Sequence, residues 1–188
     1  MRYVFFFTLI MAPLAASAQF QSNQVFLEGS FGYSRLPVGN MMNRFGTANF
    51  SVGLMASQKT AVLAGFNLAE SKLGSSNVYT SSSQLSFFAG VRQFVTITEQ
   101  IYFFGQGIVG YGDLMGDSFG SAGTFSANGA ETVFLQASPG LMFFPKPRFA
   151  VTARIGSVGY KFSDGSRGSV FEVNGGSLRL GLLYRFGN

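Results

Sequence analysis

Ser177-Leu178-Arg179-Leu180-Gly181-Leu182-Leu183-Tyr184-Arg185-Phe186 repeats with a period of two. Its even positions are apolar or aromatic, and its odd positions include Arg179 and Arg185. Successive side chains of a strand point to opposite faces, so the stretch predicts a strand with one side for hydrocarbon and the other for polar groups. A strand of this kind, ending in aromatics, is what closes a transmembrane β-barrel.

Moving outward, about seven further segments of roughly ten residues alternate in the same way, the length a tilted membrane strand requires. Gln24 to Tyr33 sets Val25, Leu27, Phe31 and Tyr33 against Glu28 and Ser30, and Thr47 to Ala56 sets Phe50, Val52 and Leu54 against Asn49 and Ser51. Ala61 to Leu68, Gln84 to Val95 and Ile101 to Tyr111 continue the rhythm, with Arg92, Tyr102 and Gln106 on the polar phase. Thr132 to Phe144 places Val133, Leu135, Leu141 and Phe143 opposite Gln136 and Ser138; Phe149 to Tyr160 places Val151, Ala153 and Ile155 opposite Thr152, Arg154 and Tyr160. Glu28, Arg92, Arg154, Arg179 and Arg185 all fall on the polar phase, which makes that phase the interior. A soluble sandwich spends more charge, and spends it on its exposed face.

The first eighteen residues predict the compartment. Met1-Arg2 is a positive start, Tyr3 to Leu14 an apolar core, and Ala16-Ser17-Ala18 a small-residue cleavage site, so residues 1–18 read as a secretory signal cut before Gln19, with the barrel spanning 19–188. A membrane helix needs about twenty apolar residues, and this run is shorter and contains Pro13. Without Arg2, twelve basic and 8 acidic residues leave a balance of +4, too mild and scattered to predict a nucleic-acid partner. Charged residues are only 11%, against about 25% in ordinary globular chains. The mean hydropathy is nevertheless +0.27, because apolar residues come in short, interrupted doses that no membrane helix uses. With Cys 0 there is no disulfide framework, and the composition fits a bacterial envelope protein.

The links between segments alternate in length. Residues 57–60, 96–100 and 145–148 are short, whereas 34–46, 69–83, 112–128 and 161–176 read as long loops rich in Gly, Ser, Asn and Asp. Outer-membrane barrels pair short periplasmic turns with longer external loops in this way. Pro139 interrupts the sixth segment and predicts a bulge or break, because it lacks a ladder donor. Trp is absent, so Tyr33, Tyr111, Tyr184 and several Phe are left to form the interfacial girdles.

Taken together, these residues resemble the small outer-membrane β-barrel family, whose OmpA- and OmpX-type members have eight strands. The sharpest element is Arg179-x-Gly181-x-x-Tyr184-x-Phe186, which is similar to that family's C-terminal assembly signal; Gly187-Asn188 follow it. The resemblance implies recognition by the barrel-assembly machinery and a place among outer-membrane lipids, as a monomer.

Little in the chain points to catalysis. Gly105-Gln106-Gly107-Ile108-Val109-Gly110 matches a dinucleotide fingerprint, but the residues after it have no helical period, so no helix N-terminus is offered to a pyrophosphate. His 0 removes Ser-His-Asp chemistry and imidazole metal ligation. Asp113 with Asp117, and Asp164 with Glu172, read as solvated loop charges. The chain is therefore expected to be no enzyme and to hold no cofactor.

The interior charges are the better candidate site. At ~3.3 Å per residue Glu28, Arg92 and Arg154 stand at similar heights and are expected to meet across a lumen that eight strands leave just wide enough for side chains. With Arg179 they form a candidate polar network, either a plug or a gate. The expected role is structural or surface-interactive through four long loops. Two alternatives stand: a narrow anion-preferring pore and a soluble exported barrel for a lipophilic ligand.

Overall fold

The computed structural model describes residues 20–38, 41–74, 79–120, 123–163 and 168–187. The expected signal segment lies outside these residues. Eight strands follow in order: β1 (Val25–Val38), β2 (Met41–Met55), β3 (Thr60–Gly74), β4 (Tyr79–Thr96), β5 (Ile101–Gly120), β6 (Gly123–Lys146), β7 (Phe149–Ser163) and β8 (Gly168–Arg185). Each pairs antiparallel with the next, and β8 returns to β1 from Phe26↔Arg185 to Gly32↔Arg179. The result is a closed up-and-down barrel of eight strands, without helices among the described residues. Closure satisfies both edges of the sheet, the condition for crossing hydrocarbon with strands.

Parity places the greasy side chains outside. Phe31, Phe87 and Leu135 are 62%, 61% and 59% exposed, whereas Glu28, Arg92 and Arg154 are buried within the barrel. On β5 the outward residues run from Phe103 to Tyr111 and then reach Asp113; on β3 Leu68 gives way to Glu70, and on β6 Val133 gives way to Glu131, all exposed. At about 3.3 Å per residue and a tilt near 40°, Phe103 to Tyr111 spans about 20 Å of height. Val95 and Ile97 extend the belt at the other end, towards the apolar band of about 25 Å that such barrels carry. Tyr33 and Tyr111 are exposed near the charged boundary; Tyr184, at the opposite end, lies against Phe186 and Phe149 with ring centroids 5.0 and 6.3 Å apart.

Val91 sits mid-belt, opposite Gly107, so Val91→Arg should cost about 2 to 4 kcal/mol, while Asp113→Arg, beyond the belt, should cost about 0 to 1 kcal/mol. Urea unfolding from lipid vesicles measures both.

Three features differ from expectation or refine it. The segments expected to be long loops are mostly strand: residues 34–38 and 41–46 pair across β1 and β2, and β5 and β6 continue to Gly120↔Gly123. Only residues 39–40, 75–78, 121–122 and 164–167 remain between the paired strands. Gly, Ser and Asn lower strand propensity, but a hairpin already held in register supplies the partner that propensity leaves out.

Second, Tyr160 does not share the inner face with Arg154. Gly156 adopts φ +66° at an irregularity between Ile155 and Ser157, which shifts the alternation by one residue. Tyr160 then stacks on exposed Phe162, 4.7 Å between centroids. Third, the ladder between β6 and β7 breaks between Ala137 and Gly140, around Pro139, while Gly105↔Pro139 holds on the β5 side. The extra residue lies on β7, where Gly156 absorbs the bend.

Candidate functional site

The lumen is filled in layers. At the end with the short turns, residues 56–59, 97–100 and 147–148, inward positions carry Phe26, Phe94, Phe104 and Phe144 with Met55, Met142 and Leu183, all buried. Phe20, ahead of β1, folds into this cluster, 4.6 Å from Phe94, 5.5 Å from Phe144 and 5.7 Å from Tyr102 between ring centroids. Sequence reasoning missed this apolar floor by treating the inner phase as polar. Its signal was present: Phe26, Phe94 and Phe104 share parity with Glu28, Arg92 and Gln106 on the same strands.

Above the floor lies the charged layer. Glu28, on β1, is fully buried, with Oε2 2.6 Å from Arg92 Nη2 and Oε1 3.7 Å from Arg154 Nη2. The Thr152 hydroxyl donates to Glu28 Oε1 at 3.0 Å. Arg92 also donates through Nε and Nη2 to Gln106 Oε1 at 3.0 and 2.6 Å, and Arg154 donates to the Ser30 hydroxyl. The Arg92 guanidinium carbon is 4.5 Å from the centre of the Phe104 ring, so this cation joins floor to network. An ionised pair taken out of water holds only when its remaining polar atoms find partners, and Thr152, Gln106 and Ser30 supply most of them.

Arg179 stands apart from that network. It pairs in register with Arg154, and among the described residues no carboxylate forms an ion pair with it. It lines a cavity of about 100 Å³ towards the far end of the lumen, with Thr47, Gln84, Phe134, Gln136 and Ser157. Of the carboxylate pairs in the sequence, only Asp113 has a described side chain, and it faces outward. No group of three or more His, Cys, Asp or Glu side chains is arranged to hold a metal ion among the described residues.

No family model and no curated protein match the chain. Solved structures do. The attachment invasion locus protein Ail of Yersinia pestis aligns with a TM-score of 0.53 at 21% identity, over 88% of this chain and 100% of that one. OprG of Pseudomonas aeruginosa gives 0.57 at 10%, over 91% and 99%, and Neisserial surface protein A gives 0.55 at 12%, over 86% and 97%. The fold is that of the small outer-membrane β-barrels. At these identities the likeness is one of architecture.

In this barrel the terminal strand has its own geometry. Tyr184 and Phe186 lie on the outer wall, and the Phe186 amide donates to the Val25 carbonyl at 2.9 Å. Gly181 points inward, where an added Cβ would stand 2.5 Å from Thr152 Oγ1 and 2.8 Å from Ser30 Cβ. Its missing side chain is what lets Thr152 reach Glu28 and Ser30 reach Arg154. Gly181→Ala should therefore destabilise the barrel by about 1 to 3 kcal/mol, even when it is refolded in detergent with no assembly factor present. A loss seen only in cells would assign Gly181 to assembly alone.

Proposed function

We propose that this chain is a monomeric integral outer-membrane protein with a closed lumen, acting at the cell surface through the part of its wall that stands above the apolar belt. One observation carries this: the outer face turns from hydrocarbon to charge at Glu70, Asp113 and Glu131, while β5 and β6 stay paired as far as Gly120 and Gly123. Nine residues of β5 beyond Tyr111, at about 3.3 Å each, lift a paired β-surface well clear of the lipid. The contact surface is then a rigid β-extension, where the sequence suggested loops. Residues 1–18 act as the export signal, and Arg179, Gly181, Tyr184 and Phe186 as the mark read by the assembly machinery. The Glu28, Arg92 and Arg154 cluster serves as a plug.

A narrow anion pore is less well supported, because the charged layer rests directly on the Phe20, Phe94 and Phe104 floor. A soluble barrel for a lipophile is opposed by the position of the greasy residues, which are outside. No catalytic role is assigned.

Planar bilayers separate these cases. Folded protein, identified by a compact gel form that shifts on boiling, should stay silent. Stable anion-preferring steps would replace the closed-lumen assignment with the pore, and release from membranes without detergent would exclude a lipid-facing barrel.

A further inference from the structure

The lumen holds more positive than negative charge. Among the described residues Glu28 is the one carboxylate inside the barrel, since Glu70, Glu99, Asp113 and Glu131 are all exposed. Facing it are Arg92 and Arg154, and beyond them Arg179. Glu28 lies against the first two, so Arg179 and part of Arg154 lack a compensating anion at close range. Arg154 is only 4% exposed, and its Nε has no hydrogen-bond partner. It lines a small pocket of about 10 Å³ shared with Arg179, Gln136 and Ser157. The last three residues also line the larger cavity of about 100 Å³ above it. One water needs roughly 10 to 15 Å³ of such space, so the larger cavity admits a group of several heavy atoms.

We propose that the cavity between Arg154 and Arg179 binds a small tetrahedral oxyanion, phosphate or sulfate, that enters from the end of the lumen opposite the aromatic floor. Guanidinium groups present several N–H donors in a planar fork that matches such an anion better than a single point charge does. Gln136 Nε2 donates to Ser157 Oγ at 2.7 Å, which leaves the Ser157 hydroxyl hydrogen to donate into the cavity. Thr47, 4% exposed and inward-facing, adds a hydroxyl on the opposite wall. The floor beneath makes this a dead-end site: an anion leaves by the way it came.

The test is calorimetric titration of the detergent-folded full chain with inorganic phosphate and with sulfate, at constant ionic strength set by chloride. One saturable site is expected. Arg179→Gln should weaken it by about 10- to 100-fold, the loss of one charge-assisted hydrogen-bonding group. Ser157→Ala, which keeps every charge, should weaken it by about 2- to 10-fold and serves if the arginine variant fails to fold. Arg44→Gln removes an exposed charge from outside the lumen and should leave binding unchanged. Absence of saturable binding by folded wild type overturns the proposal. So does equal weakening by Arg44→Gln and Arg179→Gln, which would mean general charge attraction, or wild-type affinity in both folded cavity variants.

Discussion

Glu28→Ala is expected to lower the unfolding free energy by about 3 to 5 kcal/mol, the usual cost of removing one partner from a buried ion pair. The size follows from what the carboxylate leaves behind. Arg92 is 1% exposed and Arg154 4%, so neither guanidinium can turn to bulk water, and aromatic rings surround the first. Thr152 loses its acceptor in the same step. Glu28→Gln keeps the shape but not the charge and should fall between wild type and alanine. Urea titration of protein refolded in detergent, followed by the heat-sensitive gel form, reads all three. A change well under about 1 kcal/mol for Glu28→Ala would show that the arginines are satisfied elsewhere, and the plug assignment would fall.

Phe104→Ala should be comparably severe, about 3 to 5 kcal/mol for an aromatic deleted from a packed core. The ring is fully buried and lies over Gly140 so closely that a Cβ there would be 2.3 Å from its Cζ. It also backs the Arg92 guanidinium, so its removal takes away a desolvated cation–π contact of about 2 kcal/mol and weakens the support of the charged layer. The same urea titration measures it. If the interior at this height were a water-filled channel, as a pore requires, the alanine variant would lose little, because water would occupy the vacated space.

Much of this architecture was legible in alternation alone. Two-residue periodicity put Phe31, Phe87 and Leu135 on one side and Glu28, Arg92 and Arg154 on the other, because the pleat admits only two faces. The proline rule also located the break around Pro139. Less legible was what depends on neighbours in space. Residues 112–120 are poor in strand-forming types, yet they pair because β6 lies alongside, a fact that no local window contains. Tyr160 was assigned to the wrong face because a single positive-φ residue, Gly156, resets the alternation for everything after it. Glu28, Arg92 and Arg154 stood at matching heights on a simple count, but the position of Arg179 in a separate cavity depends on strand stagger. Phe20 lies outside any strand, so alternation could not reveal that it completes the floor.

The ladder joining β1 to β8 runs only from Phe26↔Arg185 to Gly32↔Arg179, whereas β4 and β5 stay paired from Tyr79↔Phe119 to Thr96↔Tyr102. Every other junction links neighbours in the chain, so each can zip up from its own hairpin. This one must bring together residues from opposite ends of the polypeptide, and chain-closure entropy makes such encounters late and slow. The shortest ladder therefore forms last and parts first. Amide exchange along Gly29 and Ser30 should reveal it as the seam through which the cylinder comes undone.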